Sequence, residues 1–189
     1  MSPVFNRDDA DFQLKSSDNV LFLVHRSILS MASDVFKAML AVPQPLQTPS
    51  LELPCVELAE TAITLELLLM FIYPSTKSPC FLSFNQYAEV LEAASKYAVD
   101  PTIEALRVLL LSPRIDTERN STLVRQSLAE SDPLRAFAIA TSMCWKAEII
   151  HCSTLTLRIN LNTSPSSSEL ENMPTKYYRW LSELHEERR

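Results

Sequence analysis

The stretch that decides the fold is Val20–Leu40, VLFLVHRSILSMASDVFKAML. Its opening run, Val20–Val24, is aliphatic and aromatic without a polar break, which suits a strand buried on both faces. After His25 the period changes to helical, with Ile28, Leu29 and Ala32 on one face. Ser33 then stands where an N-cap starts a second helix, Asp34–Leu40, whose apolar stripe is Val35, Phe36, Met39 and Leu40.

On the N-terminal side, Phe12, Leu14 and Ser16 alternate with Asp11, Gln13 and Lys15, the period of a half-buried strand. Ser17-Asp18-Asn19 is a turn, because Asn tolerates the left-handed conformation, and the two strands form a hairpin. On the C-terminal side, Val42–Ser50 carries three prolines and reads as a loop. Leu51, Leu53, Val56 and Leu58 mark an extended segment that Pro54 confines to an edge or a bulge.

Thr61–Tyr73 is helical by composition and apolar nearly all round, so it is the expected central helix. Pro74–Pro79 ends it. Phe84–Val99 is amphipathic, and Asp100-Pro101 separates it from a helix over Ile103–Leu111. The polar Ser112–Ser121 is the expected boundary between a first domain, residues 1–111, and an extension, residues 112–189. Past it the patterns are helical: Asp132-Pro133 opens one helix, Trp145, Ile149, Cys152 and Leu155 stripe another, and Met173, Tyr177, Leu181 and Leu184 a last one. Asn162–Glu169 between them is a low-complexity loop.

Composition excludes several functions. The 189 residues contain no glycine, where average usage of about 7% would supply a dozen or so. A Walker loop, a GxGxxG fingerprint and a GxSxG elbow all need a backbone without Cβ, so nucleotide-cofactor and α/β-hydrolase chemistry of those kinds is out of reach. A formal charge of -6 opposes direct binding to nucleic acid or to an anionic membrane. The four cysteines lack metal or disulfide spacing, and no export or membrane segment is evident, which leads us to expect a cytoplasmic or nuclear protein.

Residue types alone admit two chemical readings. His25 with Ser27 or Ser30 contains the groups of a Ser/His hydrolase. These short, differently periodic elements, however, would not converge on one point. Cys144, His151 and Cys152 are zinc-binding types, but sequence neighbours on a helix point about 100° apart, which disfavours a closed tetrahedral site. Neither a catalytic residue nor a metal or other cofactor is expected.

Taken in order, these residues resemble a BTB/POZ domain. The resemblance rests on Asp11-Phe12-x-Leu14, Phe22-x-x-His25-Arg26, Ile28-Leu29, Ser33, Phe36 and Met39. It continues through Leu51-x-Leu53-Pro54, Phe71-Ile72-Tyr73 and Ala93-Ala94-x-Lys96-Tyr97, and covers residues 11 to about 111. Asp132–Arg135, Trp145-Lys146 and Tyr177–His185 are similar to the helical tail of one group of single-module BTB proteins.

The resemblance implies an α+β fold: a helical cluster with a small mixed sheet of two to three strands, followed by an all-helical extension. It implies a non-enzymatic protein–protein interaction module that self-associates or recruits partners, as an adaptor in ubiquitin-ligase or transcriptional complexes. Phe12, Leu14, Phe22, His25, Leu29, Ser33, Phe36 and Met39 would be structural. Asp11, Arg26 and Ser27 would lie on the dimer or partner surface, where Asp11 and Arg26 either line a charged pocket or form a partly exposed ion pair. Two features depart from the family. Only ten residues precede Asp11, so the N-terminal strand and helix that many members exchange are largely missing. Members that recruit cullin-type ligases carry a hydrophobic-x-Glu motif where Ala41–Pro49, AVPQPLQTP, has no glutamate.

Overall fold

A computed structural model describes residues 1–42, 53–74, 83–116, 123–161 and 168–188. Residues 43–50, 75–79 and 162–167 of the expected loops Val42–Ser50, Pro74–Pro79 and Asn162–Glu169, together with Leu51 and most of the stretch where a cullin motif was sought, fall outside the described residues.

Strands β1 (Phe12–Lys15) and β2 (Leu21–Val24) form the hairpin, with Phe12 opposite Val24 and Leu14 opposite Phe22. Those four side chains are fully buried. Leu21 and Leu23 are only half-buried, so β2 is one-faced and not buried on both faces as its composition suggested. The turn closes through Ser16, whose hydroxyl accepts the Val20 N–H at 3.0 Å. Asn19 sits in the left-handed region at φ 65.

Strand β3 (Cys55–Glu57) pairs in parallel with β1, giving the order β2-β1-β3. Pro54 lies just outside the ladder, and its carbonyl accepts the Gln13 N–H at 2.9 Å, so the missing proline donor falls where none is needed. On the other edge, the N-terminal residues run beside β2: Ser2 N–H donates to the Leu21 carbonyl and Leu23 N–H to that of Phe5. Phe5 is thereby anchored against Phe22 and Tyr73, and both sheet edges are occupied or short.

Helices α1 (Arg26–Ala32) and α2 (Asp34–Ala41) are split at Ser33, which is extended and accepts the Phe36 N–H at 3.0 Å. Helix α3 (Ala62–Ile72) buries Thr64, Leu65, Leu67, Leu68 and Leu69, more than one face, as a central helix must. Thr61 caps it, and Asp18 of the hairpin turn accepts the Ala62 N–H. Helix α4 (Phe84–Lys96), capped by Ser83, and α5 (Asp100–Leu111) complete the cluster.

The chain divides into two compact units, Met1–Leu106 and Arg107–Arg189. The division falls inside α5. The second unit is built on helices α6 (Leu128–Ser131), α7 (Pro133–Ser142), α8 (Lys146–Thr156), α9 (Ser168–Glu171) and α10 (Thr175–Glu186). It also contains a two-stranded antiparallel ladder, β4 (Arg114–Asp116) inside the expected polar boundary and β5 (Leu123–Arg125) past it, where only helical patterns were expected. Helix α7 is its centre, buried along eight of its ten residues. Asp132 caps it with Pro133 in the first turn, and Arg135 holds α9 to it through a two-pronged contact with Glu169.

Without glycine, α4 and α7 end in the same way. The Val99 N–H reaches back to the Ala94 carbonyl and the Trp145 N–H to that of Ala140, with Ala98 (φ 49) and Cys144 (φ 56) in the left-handed position between. These are Schellman-type ends, whose left-handed residue is usually glycine.

Candidate interaction surface

The first turn of α1 is set by the strand beneath it. Asp11, immediately before β1, accepts the Arg26 N–H at 2.8 Å, so its carboxylate caps the helix from outside. Arg26 does not turn its guanidinium to Asp11. The group lies over the Phe12 ring, 4.7 Å from its centroid, and among the described residues no side-chain ion pair joins Asp11 to Arg26. Asp11 and Arg26 therefore meet through a backbone contact, Arg26 reaches Phe12 through a cation–π contact, and Ser27 follows as an exposed residue of the same helical turn.

His25 is fixed from α3. Its N–H donates to Tyr73 Oη at 2.7 Å, and Nδ1 lies 3.2 Å from the same oxygen. The hydroxyl satisfies both groups if its own proton goes to Nδ1, which leaves Nε2–H facing the Asp9 carboxylate at 3.4 Å. Burial pushes the Tyr73 phenol above its usual range, and the charges of Asp11 and Asp9 add to this. It therefore stays a donor. The ring nitrogens meet Tyr73 and Asp9, and neither Ser27 nor Ser30 is brought to them.

With its N-terminus pinned and Leu29 fully buried, α1 turns its opposite face outward. Ser27 and Met31, one turn apart, are exposed there, Met31 to 89%, and Ser30 is half-exposed between them. Small hydroxyls around a flexible thioether make an adaptable surface. Phe12, Leu14, Phe22, Leu29, Ser33 and Phe36 are buried beneath or beside it, and Met39 is half-buried.

Ser33 also donates its hydroxyl proton to the Tyr97 carbonyl, and the Phe36 and Tyr97 rings stack at 4.7 Å. Tyr97 Oη in turn donates to Glu60 at 2.5 Å, and Lys96 to the same carboxylate at 2.6 Å. Burial would raise the Glu60 carboxyl, but the hydrogen bonds from Lys96 and Tyr97 outweigh it and hold the group below its usual range.

Cys144, His151 and Cys152 do not converge. Cys144 is exposed in its turn, His151 is exposed on α8, and Cys152 is fully buried. Burial, with the nearby charge of Glu148, pushes the Cys152 thiol up to about 12. Among the described residues no three His, Cys, Asp or Glu side chains are placed to hold a metal ion.

The BTB/POZ domain family model matches residues 2–113, more than half of the chain. The chain belongs to the BTB/POZ family. A solved BTB domain, that of zebrafish PATZ1, shares 17% identity, covers 52% of this chain and 73% of its own, and superposes with a TM-score of 0.41. No curated protein matches. BTB/POZ domains are protein–protein interaction modules, and the family match takes in the sheet, α1–α5 and the Asp11–Met31 surface. Sequence reasoning missed Met31 and the role of Tyr73. Met31 had a signal, since it falls off the Leu29 face and one turn after Ser27. Tyr73 had none, since its hydroxyl reaches His25 across forty-eight positions of sequence.

Proposed function

We propose that this BTB/POZ protein works by association and not by chemistry, through homotypic contact of the outward face of α1. The observation that carries the reading is Met31, almost fully exposed on a helix whose first turn Asp11, Arg26 and Phe12 hold rigid. A preorganised face loses little conformational freedom on binding. Adaptor work in ubiquitin-ligase or transcriptional complexes would use the same module, in the cytoplasm or nucleus, where the unpaired thiols of Cys55, Cys144 and Cys152 are at home. The test is co-capture of two differently tagged copies. Wild-type chains should capture each other, and Ser27→Arg, which plants a long charged side chain on the exposed face, should abolish capture without lowering the melting temperature. Capture undiminished by Ser27→Arg, or no capture at high concentration, sinks the reading.

A further inference from the structure

The second unit carries an open cavity of about 530 Å³ that the α1 surface does not involve, lined by Lys146, Ile149 and Ile150 of α8 and Lys176, Tyr177 and Trp180 of α10. At the far end of the same helices, Thr156 Oγ1 and His185 Nε2 lie 3.2 Å apart. The two helices therefore run in the same direction, touching through this pair toward their C-terminal ends and flanking the cavity at their N-terminal ends. Ile150 is 65% and Trp180 40% exposed in the opening. Trp180 is held by stacking on Phe137, and the Lys176 ammonium lies 4.9 Å from the centre of the Tyr177 ring.

The charge at this opening is of one sign. Both lysines line it and no carboxylate does. Glu148, the acidic residue in the first turn of α8, is engaged by Arg107 at 2.8 Å. Glu148 also takes up a backbone N–H in the first turn of α8, whereas α10 has neither a side-chain cap nor an acidic residue in its first turn, so the positive end of α10 adds to the two ammonium groups. In a chain of formal charge -6, this is an apolar groove with a basic rim.

We infer that the groove receives a peptide segment of a partner protein in which an apolar side chain stands beside one or more carboxylates. The apolar group fills the space between Ile150 and Trp180, and the carboxylates meet Lys146, Lys176 and the N-terminal end of α10. The concave shape suits a side chain better than a membrane surface does, and the net charge opposes approach to an anionic bilayer.

The test is selection of random dodecapeptides displayed on phage against the full chain, followed by binding of the enriched peptides to the Ile150→Glu variant and the Lys146→Glu/Lys176→Glu variant. Enriched peptides should pair an aromatic or leucine with Asp or Glu, and both variants should weaken binding by about tenfold or more with unchanged melting temperature. Should Ile150→Glu fail to fold, the exposed lysine pair carries the test alone. Four results overturn the proposal: no enrichment, enrichment indifferent to carboxylates or to the lysine reversal, retention of the chain on phosphatidylserine-containing but not phosphatidylcholine vesicles, or self-association abolished by Ile150→Glu, which would make a second copy the occupant.

Discussion

At the scale of single residues, the absence of glycine has a measurable cost. A left-handed residue with a Cβ costs roughly 1–2 kcal/mol, whereas a glycine adds about 0.5–1 kcal/mol of unfolded-state freedom to be lost. Ala98→Gly should therefore raise stability by about 0.5–1 kcal/mol, read from urea denaturation, and a loss of stability would show that the turn is not strained. Asp11→Ala removes the acceptor for the first N–H of α1 and should cost about 1 kcal/mol, with Asp11→Asn recovering most of it. The thiols divide by burial: iodoacetamide should modify Cys144 in the folded protein and leave Cys152, with its thiol pushed up to about 12, untouched until the chain unfolds. Residue type made some of this legible in advance. Ser33 as a cap and Asn19 as a turn residue follow from local chemistry. The Tyr73–His25 contact and the Arg26–Phe12 stacking depend on which elements meet, and no local pattern encodes that.

At the scale of elements, Ser33 joins two jobs that need a hydroxyl, which accepts and donates at once. Its oxygen accepts from Phe36 at the start of α2, and its proton goes to the carbonyl of Tyr97 at the end of α4. Ser33→Ala should cost about 2 kcal/mol, roughly one for the cap and one for the buried carbonyl left without a donor. Ser33→Asp, a good cap that cannot donate, should not restore it, and full rescue by aspartate would show that the cap alone matters. The elements themselves were legible wherever one period ran for several turns, as in α3, α4 and α7. Strand β2 misled because both alternate positions on its half-buried face, Leu21 and Leu23, are apolar as well, so composition alone suggested burial on both sides. Helix α6 and the β4–β5 ladder are too short for a period to show, although Ser127 and Glu130 form a capping box that could have located α6.

At the scale of the whole molecule, each unit carries a buried-edge carboxylate held below its usual range. Glu60 in the first is opposed by burial but won over by Lys96 and Tyr97, and Glu148 in the second is opposed by burial but won over by Arg107. A carboxyl lowered on folding adds stability that is present above its unfolded value, near 4.5, and is lost as pH falls through the lower folded one. The melting temperature should therefore drop below that pH, and Glu60→Gln should flatten part of the drop while costing about 1–2 kcal/mol at neutral pH. An unchanged acid profile in Glu60→Gln would show that the hub contributes nothing through its charge. Beyond stability, joining of two copies through the α1 face, as proposed above, would show in the solution mass by light scattering across a wide concentration range. The wild type should show twice the 21.4 kDa chain mass, and a folded Met31→Glu variant the chain mass. A wild type that stays at the chain mass throughout, or a dimer that Met31→Glu leaves intact, would contradict it.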